Sequence, residues 1–86
     1  MEIAVNGPRE DSNNKMCYDI DIAYGGKIVI TYVPGNVAGW EQDSIRINKK
    51  SSENHVVQGP EIPINKIGEI FFAIHELLKQ NSKKNS

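Results

Sequence analysis

Eighty-six residues allow one domain with a single thin core and leave little room for a deep substrate cavity. Apolar residues make up 38% and charged residues 24%, which is lean for a core but outside the range of a disordered chain. The net charge of −1 hides an asymmetry: Lys79, Lys83 and Lys84 cluster near the C-terminus, while residues 1–78 carry seven Lys/Arg against eleven Asp/Glu. A mildly acidic body argues against direct nucleic-acid binding, which calls for clustered basic residues interleaved with aromatics.

No apolar run approaches the roughly 18–20 residues of a membrane span, and no leader pattern follows Met1-Glu2, so a soluble cytoplasmic protein without membrane contact is expected. The single Cys17 excludes an internal disulfide and a cysteine zinc knuckle, and reads as a small buried hydrophobe.

Met1 to Val5 can add a short strand, and Asn6-Gly7-Pro8 is expected to stop it ahead of the polar loop Arg9 to Lys15. From Met16 the pattern has period two. Met16, Tyr18, Ile20, Ile22 and Tyr24 point one way, and Cys17, Asp19, Asp21 and Ala23 the other. Gly25-Gly26 suits a two-residue hairpin turn. That turn sets Tyr18 against Val33, Ile20 against Thr31 and Ile22 against Val29 on a core face. It sets Asp19 against Tyr32 and Asp21 against Ile30 on a reverse face that is half acidic and half apolar.

Pro34-Gly35 ends the second strand, and the loop through Trp40 leads to a third strand over Asp43 to Ile47. His55 to Gln58 reads as a short returning edge strand closed by Gly59-Pro60, with an extended Pro60 to Pro63 segment after it. The clearest element is a helix from about Asn65, a suitable N-cap, to Gln80. Its stripe of Ile67, Ile70, Phe71, Ile74, Leu77 and Leu78 requires cover, for which the hairpin's apolar face is suited. The expected fold class is therefore α+β: a small antiparallel meander of four to five strands packed against one C-terminal amphipathic helix, spanning residues 1–80, with a disordered polar tail at 81–86.

Phe72 lies about 150° from the middle of the stripe, which marks either a side covered by a loop or a surface for a partner or a second copy, so a homodimer is compatible with the pattern. Asp19 and Asp21, alternate residues of one strand, stand roughly 6–7 Å apart and fit three readings: a cation pair, a solvated face or a protein contact. Two carboxylates do not make a metal site, and no neighbouring His or Glu pattern completes one. His55 and His75 show no spacing to a nucleophile, so no catalytic set, cofactor or metal is assigned and an enzyme is the weaker expectation. Trp40, beside Gly39, fits either a cap on the core or an interface anchor.

The order of elements, with YGGKIVI in the hairpin, DSIRI in the third strand and GPEIPI leading into the helix, resembles the small immunity proteins of bacterial polymorphic-toxin and contact-dependent-inhibition systems, in particular the immunity protein 74 type. The similarity covers about Tyr18 to Leu78. The tryptophan expected just ahead of the prolines in that family is replaced here by HVVQ, and Trp40 stands upstream. The resemblance implies stoichiometric inhibition of a cognate toxin domain in the cytoplasm, with a basic nuclease as a suitable target. No contact residue is carried over from that family; the residue pattern alone marks Asp19, Asp21, Ile30, Tyr32, Trp40 and Phe72 as the expected contacts. A phage-encoded anti-defence inhibitor shares the same features, and a small metal-binding or enzymatic domain would need Asp19, Asp21 and a histidine in one pocket.

Overall fold

The computed structural model describes residues 5–35 and 42–84. Six strands form one antiparallel sheet in meander order: β1 (Val5–Glu10), β2 (Met16–Asp21), β3 (Lys27–Val33), β4 (Ser44–Lys50), then β5 (Val56–Val57) and β6 (Glu61–Pro63), which both pair with β4. A 3-10 turn, Ile64–Lys66, leads into the helix α1 (Ile67–Lys84). This is the α+β layout expected from the sequence, with differences that move residues between faces.

The hairpin register is the largest difference. Tyr18 opposes Ile30, Asp19 opposes Val29, Ile20 opposes Ile28 and Asp21 opposes Lys27. The turn is a three-residue one, Ala23–Gly25, closed by the Ile22 amide donating to the Gly26 carbonyl at 3.0 Å. Tyr24 (φ 62°) and Gly25 (φ 75°) take the left-handed conformations that such a loop requires, and Gly26 stays extended. Relative to a two-residue turn the pairing shifts by three residues, and an odd shift turns β3 over. The expected pairing of the aspartates with Ile30 and Tyr32 does not occur. Ile28, Ile30 and Tyr32 join Met16, Tyr18 and Ile20, while Val29, Thr31 and Val33 join Cys17, Asp19 and Asp21.

The first Gly-Pro pair does not end its strand, whereas β5 does end ahead of the second. β1 runs through Asn6-Gly7-Pro8 by a bulge, since the register with β2 slips by one residue between Asn6 and Arg9. Gly7 has φ 142°, and a Cβ there would meet Tyr18 Cδ1 at 2.9 Å. β1 is an edge strand, where a proline costs no ladder bond to a further neighbour. The second Gly-Pro sits between β5 and β6. There the Gly59 amide donates to the Asn48 side-chain oxygen at 3.1 Å and the Ile47 amide to the Pro60 carbonyl at 3.0 Å, so β5 and β6 form one edge interrupted by a bulge.

Burial is uneven between the two faces. Cys17 opposes Thr31 and Val33 opposes Ser44, and all four of these short side chains are buried. On the isoleucine-rich face Ile20, Ile28, Ile30, Ile45, Ile47 and Ile62 are only half-buried. The helix does not cover this face as its stripe suggested. Ile67 and Ile70 are half-buried near the sheet, but Phe71, Ile74, Leu77 and Leu78 are exposed, Leu77 by 69%. The radius of gyration is 15.0 Å, against about 12 Å for a compact chain of this length. Asn65 is not the N-cap but lies inside the 3-10 turn, and the helix continues past Gln80 to Lys84, through the first residues of the expected tail.

Candidate functional site

Two apolar hollows lie side by side on the isoleucine-rich face. The first, about 400 Å³, is lined by Met16, Tyr18, Ile30, Tyr32 and Ile45, and no helix residue reaches it. The second, about 270 Å³, lies under the start of the helix between Ile30, Ile45, Ile47 and Ile62 of the sheet and Ile67, Ile70, Phe71 and Ile74 of α1. Ile30 and Ile45 are common to both, so the surface is continuous. Met16 is 56% exposed, and the distal helix extends the apolar surface through Leu77 and Leu78. Patches of this extent on small proteins mark contact with another macromolecule or with a ligand.

One end of this face is pinned by Asp43. The Tyr32 hydroxyl donates to one carboxylate oxygen and the Gly35 amide to the other at 2.8 Å, while the Ile64 amide donates to the Asp43 carbonyl at 3.1 Å. Asp43 therefore ties the ends of the β3–β4 connection to the entry of the helix. The shared hydrogen bond holds the Asp43 carboxyl below its usual range and pushes the Tyr32 phenol up. Asp43 was not among the candidates from the sequence; an acid just ahead of a strand has no periodic signal.

The opposite face carries ion pairs. Arg9 Nε and Nη2 donate to the two carboxylate oxygens of Asp19 at 2.5 and 2.9 Å. The Gly7-Pro8 bulge makes this pair, because the one-residue slip puts Asn6 and Arg9, three apart, on the same side as Asp19. Asp19 is 6% exposed, and Arg9 holds its carboxyl below the ordinary carboxylate range. Arg46 donates to Glu61 at 2.8 Å across β4 and β6. Beside these pairs runs a groove of about 330 Å³ with a mixed lining that includes Val29, Thr31, Asn48 and Lys50. Burial pushes the Cys17 thiol up, which disfavours the thiolate.

Asp19 and Asp21 therefore do not form a twin carboxylate surface. Asp19 is buried and both of its oxygens are taken by Arg9, whereas Asp21 is exposed and lies 3.9 Å from Lys27. Among the described residues no three or more His, Cys, Asp or Glu side chains come together where they could hold a metal ion. Ile30 and Tyr32 lie on the apolar face, and Phe72 is exposed by 66% on the flank of α1. Trp40 lies outside the described residues. The structure thus gathers Ile30 and Tyr32 and separates them from Asp19 and Asp21. It adds Tyr18 and Phe71, which the sequence places on the hairpin's core face and in the helix stripe, and Ile45 of the third strand.

The fold is that of a small α+β domain with a large open apolar face. No protein-family model, curated protein or solved structure matches the chain. Among the described residues no helix is long and apolar enough to cross a membrane.

Proposed function

We propose that this chain works by stoichiometric contact with another protein rather than by turnover, as a cytoplasmic immunity-type inhibitor that occludes a bacterial toxin domain. The observation that carries the contact reading is the continuous open apolar face from Met16 and Tyr18 across Ile30 and Tyr32 to the helix. Tyr18 and Tyr32 are exposed aromatics on paired strands, the kind of rigid anchor that concentrates binding energy when it enters a partner's pocket. The role of immunity protein is supported by the resemblance of YGGKIVI, DSIRI and GPEIPI in their order along the chain.

The charge of Asp19 is neutralised by Arg9, so of the two β2 carboxylates only Asp21, 3.9 Å from Lys27, is left to steer encounter with a basic toxin surface. The test is co-expression with the domain encoded beside this chain. Growth rescue and a 1:1 complex, both lost on Tyr18→Asp with the fold preserved, are the expected results. Rescue and complex formation unaffected by Tyr18→Asp would remove the apolar face from the contact, and the lack of any complex would remove the inhibitor role.

A further inference from the structure

We infer that in the free protein the apolar face is covered by a second copy of the chain, the exposed apolar stripe of α1 from Phe71 to Leu78 of each protomer lying against the sheet hollow of the other. The inference rests on the contact reading of that face and names its occupant.

The first ground is the lack of an internal core. Among the described residues only Cys17 and Val33 are buried apolar side chains. A domain of this size must bury roughly 60% or more of the surface its unfolded chain exposes to offset chain entropy, and its margin is small even then. A partner met only on occasion leaves such a chain without a core for the rest of its life. A second copy is present whenever the chain is.

The second ground is self-complementarity. One protomer supplies both a ridge, Phe71, Ile74, Leu77 and Leu78, and an open hollow, Met16, Tyr18, Ile30, Tyr32 and Ile45, that its own helix does not enter. A two-fold axis uses each element twice, so the contact closes on itself and leaves no free apolar end. The 18 residues of α1 extend about 27 Å, long enough for the first turns to stay on β4 and β6 while the last turns reach a neighbouring sheet.

The third ground is area. The exposed fractions, 66% for Phe71, 67% for Leu78, 56% for Met16 and 42% for each of Tyr18 and Tyr32 among them, amount to on the order of 600–1,000 Å² of surface per protomer when large side chains present about 150–250 Å² each. Stable interfaces take about 600–1,000 Å² from each partner.

The test uses the purified full chain. Light scattering should give twice the chain mass, and a sample mixed from labelled and unlabelled protein should show intermolecular NOEs from the Leu77 and Leu78 methyls to the Tyr18 and Tyr32 rings. Leu77→Glu with Leu78→Glu should weaken association at least about a hundredfold, the effect of two buried leucines lost from an interface. A folded monomer at sub-millimolar concentration would overturn the proposal. So would a dimer without those NOEs, whatever the double variant does. The result is independent of any toxin: a dimer that binds no neighbouring gene product leaves this inference standing and removes only the inhibitor role.

Discussion

Replacing Arg9 by Ala leaves Asp19, 6% exposed, without the guanidinium that satisfies both of its oxygens. Breaking a fully buried ion pair from one side costs about 3–5 kcal/mol. The Arg9 side chain is 43% exposed, so solvent screens part of the interaction and about 2 kcal/mol is the expected loss. In a chain of this length that is a drop of roughly 8–15 °C in melting temperature. Asp19→Asn should cost less, about 1 kcal/mol, because a neutral acceptor remains in place. The double variant should cost less than the two single effects together, with about 1–2 kcal/mol of coupling. The acid side has a definite sign. Arg9 lowers the Asp19 carboxyl in the folded protein, so this contribution is complete above the unfolded value of about 3.9 and is lost as pH falls through the lower native value. Denaturant melts of the four proteins between neutral pH and about pH 2.5 measure both effects. Arg9→Ala within about 0.5 kcal/mol of wild type, or no coupling in the cycle, would refute the reasoning.

Asp21→Asn should change stability by less than about 0.5 kcal/mol, since Lys27 stands 3.9 Å away and both side chains are about half exposed; equal losses at Asp19 and Asp21 in the same melts would contradict the asymmetry. Gly59→Ala puts a Cβ 1.8 Å from the Ile47 carbonyl oxygen, so the bulge must open and the Asn48–Gly59 hydrogen bond with it. A loss of about 2 kcal/mol or more in denaturant titration is expected. Asp43→Asn should bring the Tyr32 phenol back down toward its ordinary range, seen as an ultraviolet titration at lower pH than in the wild type; an unchanged titration would remove the Tyr32–Asp43 bond from the account.

The strands of the hairpin and the helix were legible because period two and a helical stripe are properties of the residues themselves. Register was not, because YGG permits turns of two or three residues and the difference inverts β3. A signal was present: of the two turns, the three-residue one collects Tyr18, Ile30 and Tyr32 on one apolar face and leaves both aspartates on the other with Val29 and Thr31, so the uniformity of the first face would have selected it. Gly7-Pro8 was expected as a stop and is a bulge on a sheet edge, since a dipeptide that cannot continue a regular ladder can still kink one; Gly59-Pro60 does follow the end of β5, and the edge resumes in β6 with its register slipped by one residue. The Arg9–Asp19 pair depends on the first of those bulges, which is why neither residue announced the other. The helix stripe told which side of α1 must be covered, but periodicity does not say whether the cover comes from the same chain.

The concentration dependence of thermal unfolding tests most directly whether a second copy completes the core. For two chains folding as one unit, an unfolding enthalpy of about 0.7 kcal/mol per residue gives a melting temperature that rises about 4 °C per tenfold increase in protein. The account predicts that slope for the wild type and a low, flat melting temperature for Leu77→Glu with Leu78→Glu. A cooperative wild-type transition at one temperature across a thousandfold range of concentration would contradict it.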